Sequence, residues 1–260
     1  MKNSDYTLVI DEQDIPGEKN FYSGNGSSET TYRAPKSGAL AKRVLDVAVG
    51  ITGLVSLFFI YPFIAFGIKI SSHGPVLFKQ ERSGIYGTKF TCYKFRTMHV
   101  HRSLKDNGLP DIANHKDVRI FRFGSFLRNT YLDEFPQFYN VIKGDMSVVG
   151  PRPFPVGEQQ YWNRRITNFS ERMMVKPGLT GLAQVEGYSG GTFEMGLIKK
   201  RLELDLRYIE KSDSHNDVKI IYLTFLQMIK SITKFGVNDN IRRSYKTSVT
   251  EHSQQCMSNY

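Results

Sequence analysis

The apolar and polar positions set one segment apart from the rest of the chain. From Val47 to Ile68, "VAVGITGLVSLFFIYPFIAFGI", no charged residue interrupts the run. A helix rises about 1.5 Å per residue, so this one is long enough for a bilayer core of roughly 30 Å. Basic residues flank both ends: Lys36, Lys42 and Arg43 before it, Lys69, Lys79 and Arg82 after it. Positive flanks favour the cytoplasmic side, and here both ends carry them. Pro62 falls in the second half of the run. It lacks a backbone donor and is the expected membrane kink. The pattern therefore predicts a kinked, re-entrant helix over 39–72 that enters and leaves on one face. Ser56 and Tyr61 are the expected partners for backbone groups freed at the bend.

Beyond it, the periodicity shortens. Val76–Lys79 and Lys89–Met98 alternate and carry β-branched and aromatic residues, which predicts short strands linked across Gly84 and Gly87. "HVHRSLKDNGLPDIANHKDVR" reads as a polar loop, and His99, His101 and His115 in it lack metal-ligand spacing. "RIFRFGSFLRN" is a short helix, either amphipathic on acidic lipid or packed in the core with its arginines in solvent. A helix follows up to Gly144, then one from Phe154 to Ser170 containing Trp162. A strand is expected over Leu182–Glu186, and helices over Glu194–Lys211 and Asn216–Phe235. In the last helix Lys219, Lys230 and Lys234 can reach an interface. Ile221, Phe225, Met228, Ile229 and Ile232 then pack or dip into lipid. The expected class is α+β and mainly helical: a membrane-associated monotopic protein with short strands and amphipathic interfacial helices. Its expected parts are a disordered polar segment 1–38, the re-entrant helix 39–72, a cytoplasmic domain 73–236 and a flexible tail 237–260.

The formal net charge of +10 and pI near 9.5 suit an anionic partner, whether nucleic acid, acidic lipid or a phosphorylated substrate. Nucleic acid is disfavoured: the chain carries no recognition motif, and such a role leaves Val47–Ile68 unexplained. Cys92 and Cys256 lie far apart and match no zinc or redox spacing. No cleavable signal sequence is apparent.

The candidate chemistry lies in "RNTYLDEFPQFYNVIKGDMSVVGPRP", Arg128 to Pro153. Asp133 and Glu134 stand together just before Pro136. Thr130 and Asp133 fit a capping box, or the helix begins near Leu132 with Pro136 in its first turn. In either case both acids fall in a first turn, where the dipole favours carboxylates and also attracts phosphate oxygens. Acids are common there merely as caps. Their neighbouring positions also let one attack phosphorus while the other holds magnesium. Arg152, between two prolines, is restricted enough to aim its guanidinium at an anion.

Three motifs, in order after the basic membrane run, resemble one family. They are "KFRTM" (Lys94–Met98), "LDEFPQFYNVIKGDMSVVGPRP" and "KPGLTGLAQV" (Lys176–Val185). The likeness covers roughly Ala41 to Ile232 and is to the bacterial sugar transferases, the monotopic polyprenyl-phosphate hexose-1-phosphate transferases or phosphoglycosyl transferases. The chain looks like their short form. "YSGGT" and "RLELDLRYIE" lean towards the undecaprenyl-phosphate glucose or galactose phosphotransferases.

The resemblance implies transfer of a sugar-1-phosphate from a UDP-sugar to undecaprenyl phosphate, with release of UMP. It places the protein at the cytoplasmic face of the inner membrane, opening exopolysaccharide, capsule, O-antigen or glycoprotein glycan synthesis ahead of downstream glycosyltransferases. It implies that Asp133 is the nucleophile of a ping-pong scheme and that Glu134, with Asp133, belongs to a Mg2+ site. Arg128, Arg152, Lys94 and Arg96 are the implied phosphate-binding residues. Departures from the family pattern are Tyr61 where Ser often precedes the kink proline, Phe135 for leucine, and Glu186 for asparagine. "SDSHNDVKII" stands where the family has a tryptophan-rich stretch. Phosphoryl transfer needs positioning and charge neutralisation, which such a cationic set supplies.

Overall fold

The computed structural model describes residues 39–100, 117–190, 192 and 194–233. The expected segments 1–38 and 237–260 lie outside the described residues, as do His101, His115 and Lys234.

The first helix, α1 (Ala39–Ser71), runs for 33 residues and continues past Pro62. It is long and apolar enough to cross a membrane. One stripe faces the rest of the protein: Asp46, Gly50, Gly53, Ile64 and Ile68 are buried, and Leu57 and Ile60 half-buried. This is the spacing of a single helix face. The outer side leaves Ile51, Val55, Phe58, Phe59, Phe63, Phe66 and Ile70 exposed. Gly53 allows the close approach, since a Cβ there would sit 2.3 Å from the Phe138 ring. Ser56 does not play the expected part. Its hydroxyl donates to the Thr52 carbonyl at 2.9 Å, one turn back, and not to the carbonyl that Pro62 frees, that of Phe58. The Tyr61 ring lies 5.8 Å from that of Phe95.

Both ends of α1 are fastened to the same body. At the start, the Lys42 ammonium donates to Asp217 (2.7 Å), the Tyr208 hydroxyl and the Val149 carbonyl. Arg43 donates to the carbonyls of Val141 and Ile142, and buried Asp46 accepts from the Ser147 hydroxyl and the Val148 amide. At the far end, Ser72 is held by Arg96 through its hydroxyl and carbonyl, each at 2.7 Å.

Strands β1 (Leu77–Ser83) and β2 (Lys89–Phe95) form an antiparallel hairpin, Leu77 opposite Phe95 and Ser83 opposite Lys89. Helix α2 (Arg122–Asn129) buries Gly124 and Leu127 and packs Phe123 and Phe126 against Ile64, Ile68, Phe95 and Phe121. That favours the core-packed alternative for this segment, but its arginines are not all in solvent: Arg119 is buried against Asp117 and Arg128 bonds Thr97. After a 3-10 turn at Leu132–Glu134 comes α3 (Gln137–Lys143), closed by Gly144 at φ 93°. Strands β3 (Ser147–Val149) and β4 (Gly178–Thr180) pair in parallel.

Between them, α4 (Val156–Asn163) is shorter than expected. Asn168 adopts a left-handed backbone at φ 63°, and a 3-10 turn follows over Phe169–Met173. Trp162 is almost wholly buried with Phe154, Phe169 and Ile198. The strand expected at Leu182–Glu186 is instead a short helix, α5 (Leu182–Val185). The Gly181 carbonyl accepts from the amides of Gln184 and Val185, and the pairing residues lie earlier, at Gly178 and Thr180.

Helix α6 (Met195–Glu210) and a last helix, α7 (214–233), complete the body. The α7 start falls two residues before the expected Asn216. The Asp213 carboxylate caps it by accepting from the Asn216 amide at 2.7 Å. Along α7, Ile221 packs in the core, while Val218, Tyr222, Phe225, Ile229 and Ile232 are exposed. The architecture is mainly helical, with short strands and one long apolar N-terminal helix.

Candidate active site

Asp133 and Glu134 lie in the 3-10 turn, not in the first turn of an α-helix. Thr130 explains the shift. Its hydroxyl donates to the carbonyls of Phe126 and Leu127, so it closes α2 and does not cap the next helix. Pro136 then directly precedes α3. Side-chain cations, and not a helix terminus, supply the positive surroundings.

Those cations converge on Glu134. Arg152 donates from Nη1 to Oε2 at 3.0 Å and from Nη2 to Oε1, and Lys94 reaches Oε1 at 2.7 Å. Burial alone would raise the Glu134 pKa. Arg152 and Lys94 outweigh it and hold the carboxyl well below its usual range. Burial likewise works against Arg152, but Glu134 keeps its guanidinium firmly charged. For Lys94 burial wins, and the pKa falls below that of a free lysine despite Glu134.

Asp133 differs. It is only 9% exposed and accepts no hydrogen bond from any described residue. Burial, and then the charge of Glu134, raise its pKa to about 6, against the pull of Lys94, Arg128 and Arg152. The pair is thus one clamped carboxylate, with its ionised form favoured, beside one buried carboxylate whose oxygens accept from no described residue. A nucleophile and a charge-setting partner require that division of labour.

Arg128 is placed beside Asp133 by α2 and donates through Nε to the Thr97 hydroxyl at 2.8 Å. The residue lines the same cavity as the acid pair. Gly124 makes this approach feasible, because a Cβ there would lie 2.2 Å from the Thr97 carbonyl oxygen. Arg96 lines the same cavity, and its Nε, Nη1 and Nη2 each donate one hydrogen bond to Ser72 or the Pro75 carbonyl, which fastens the end of α1.

A cavity of about 1120 Å³ contains Asp133, Glu134, Lys94, Arg128 and Arg152. Part of its wall is α7, through Phe225, Met228 and Ser231. Thr224 bonds Thr180 at 2.6 Å, and Gln227 donates to the Val185 carbonyl at 2.7 Å, fixing α7 over "KPGLTGLAQV". Magnesium takes oxygen ligands, commonly one or two carboxylates plus substrate phosphates. The unpartnered Asp133 oxygens, with Glu134 Oε2 bearing a single donor, fit such an ion. Among the described residues no cluster of three or more His, Cys, Asp or Glu side chains is placed to hold a metal, so phosphate oxygens would complete its shell.

Comparison with known proteins decides what this geometry belongs to. The family model described as bacterial sugar transferase matches residues 37–231. The chain belongs to the bacterial sugar transferase family. Similar proteins include UDP-glucose:undecaprenyl-phosphate glucose-1-phosphate transferases from three bacteria. The one from Xanthomonas campestris pv. campestris is 42% identical over 197 residues, 75% of this chain and 40% of that protein. The one from Escherichia coli K12 is 40% identical over 195 residues, 74% and 41% of the two chains. That of Caulobacter vibrioides is 43% identical over 188 residues, 71% and 68% of the two. The chain thus spans about two fifths of the length of the first two relatives.

Within this sugar transferase, several residues at the site escaped the sequence. Arg82, Glu158 and Arg201 line the same cavity from β1, α4 and α6. Arg172 and Asp205 form a buried ion pair at 2.7 Å, and Arg172 also donates to the Arg152 carbonyl, which steadies the arginine that clamps Glu134. One signal for them was available. Arg201 and Asp205 occupy the buried phase of α6, alongside Ile198, Leu202, Tyr208 and Ile209. Charges on an apolar stripe call for partners.

Proposed function

We propose that the protein transfers a sugar-1-phosphate from a UDP-sugar to undecaprenyl phosphate, releasing UMP, as the first step of a lipid-linked glycan. The observation that carries this reading is the Asp133 carboxylate, buried and without hydrogen-bond partners among the described residues, beside Glu134 held by Arg152 and Lys94. An Asp133 oxygen attacks the sugar-bearing phosphorus. The bond to the bridging oxygen breaks, and UMP leaves with the electron pair. An oxygen of the lipid phosphate then attacks the same phosphorus and displaces Asp133, giving a lipid diphosphate sugar. Arg128, Lys94 and Arg152 offset the charge of the two anionic substrates in a site largely shielded from water. Asp133 and Glu134 would hold Mg2+, which when bound supplies further neutralisation of the phosphate oxygens.

We further infer that α1 is re-entrant and that the site lies on the cytoplasmic face of the inner membrane. Lys42 and Ser72, at opposite ends of α1, bind the same body, and that supports both ends lying on one side. The exposed Phe58, Phe59, Phe63 and Phe66 on α1, with Tyr222, Ile229 and Ile232 on α7, suit lipid contact. Single cysteines at Leu40 and His73 should label only from the cytoplasm; periplasmic labelling of either means a spanning helix.

The reaction is tested by UMP release from UDP-glucose, UDP-galactose and N-acetylated UDP-sugars with undecaprenyl phosphate and magnesium. Asp133→Asn should abolish release while membrane binding and folding persist. Release unchanged by that substitution rules out the covalent route. No release with any donor leaves a membrane-anchored scaffold in place of the enzyme.

A further inference from the structure

We propose that Glu158 and Arg201 form a pocket that grips a vicinal diol of the donor's hexose. This rests on the reaction proposed above. Both residues line the cavity that holds Asp133 and Arg152. Glu158 is 7% exposed and Arg201 4%. Oε1 of Glu158 and Nε of Arg201 complete no hydrogen bond among the described residues, and Trp162, whose Nε1 is likewise buried and unsatisfied, is the one described neighbour near enough to draw on Glu158 as a hydrogen-bond donor. Buried polar atoms of this kind are costly unless something completes them.

The surroundings select the ligand. Two guanidinium groups stack on the Phe154 ring, Arg172 at 4.4 Å and Arg201 at 4.7 Å. Arg172 is committed to Asp205, whereas among the described residues Arg201 makes a single long 3.5 Å contact, to the Ser189 carbonyl. Glu158 would repel a phosphate, while Arg201 and Arg82 would repel a cation. A neutral diol satisfies both sides, donating its protons to the carboxylate and accepting from the guanidinium. Burial pushes Glu158 up and lowers Arg201 to about 9, so neither charge is as firm as that of the Glu134–Arg152 pair, and neutral hydroxyls suit them.

The position is equally specific. Pro153, Phe154 and Pro155 lead from Arg152, which clamps Glu134, to α4, which carries Glu158. Proline restricts this link, which limits how far the Arg152–Glu134 pair and the pocket can move apart. The donor carries vicinal diols on both the hexose and the ribose. The ribose leaves with UMP, while the hexose stays attached through phosphate to Asp133 until the lipid arrives. A buried grip suits the group that stays.

The experiment uses the full-length protein in nanodiscs. For Glu158→Gln, Arg201→Lys and Gly190→Phe, kcat/KM for UDP-sugar and direct affinities for UDP-glucose and UMP are measured. Gly190 lines the cavity and a Cβ there meets nothing within 4 Å, so the cavity wall accepts a side chain at this position. The expected result is a 10- to 100-fold loss in kcat/KM and in UDP-glucose affinity, with UMP affinity changed less than about threefold. Equal loss of UMP affinity overturns the hexose assignment and places the ribose there. Unchanged UDP-glucose affinity in folded variants overturns the pocket itself. Wild-type protein that binds UDP-glucose but releases no UMP defeats the reaction alone, because the binding comparison still stands.

Discussion

Arg152 meets Glu134 across eighteen positions of sequence with both terminal nitrogens of its guanidinium, one on each carboxylate oxygen. Only a planar fork makes that contact. Arg152→Lys keeps the charge and loses the second donor. It should lower kcat/KM for UMP release about 10²-fold, with near-wild-type folding. A change below about threefold would mean that Lys94 alone orients Glu134.

Asp133 must be ionised to attack phosphorus, and its pKa lies at about 6. The pH profile of kcat/KM should rise to a plateau above that value. The limb belongs to the two carboxylates together, since Glu134 is the second cause of the raised value. Glu134→Gln should move the limb to lower pH, because it removes a neighbouring negative charge and frees Lys94 and Arg152 to favour ionised Asp133. A limb that stays in place identifies another titrating group.

The raised Asp133 pKa also has a stability consequence. The folded value stands at about 6, against 3.8 for a free aspartate. Folding therefore disfavours the ionised form. The cost is fully present above pH 6 and disappears below the unfolded value. A rise of this size corresponds to about 3 kcal/mol. Asp133→Asn should raise Tm at pH 7.5, with the gain shrinking towards pH 4. Equal or lower Tm at pH 7.5 would contradict a strained carboxylate.

Gly124 lets α2 rest against Thr97, where a Cβ would fall 2.2 Å from the carbonyl oxygen. Gly124→Ala should push α2 away, destabilise the protein by about 1–3 kcal/mol and remove Arg128 from the Thr97 hydroxyl. Thermal unfolding temperature and UMP release should fall together. Loss of stability with full activity would free Arg128 from any role in the site.

The sequence disclosed what is local. The run of apolar residues announced α1, and the acid pair with its flanking arginines announced the chemistry. Tertiary convergence was not legible. Arg96 reads as one more cation in "KFRTM", yet it lies just past β2 at the end of α1, where Ser72 and Pro75 accept one hydrogen bond from each of its nitrogens. Glu158 and Arg201 are more than forty positions apart, and only the packing of α4 beside α6 brings them to one cavity. Thr130 suited two local roles, and its contacts with Phe126 and Leu127 decided between them.

The fastening of α1 at Lys42, Asp46 and Ser72 bears on how such a protein can be handled. Its hydrophobic helix is a girder of the catalytic body rather than a leash. Ile64 and Ile68 fill one core cluster, and Asp46 completes the bonding of Ser147 and Val148 beside β4. Cutting the helix away would therefore not yield a water-soluble enzyme but a body whose core cluster at Phe95, Phe121 and Leu127 is laid open.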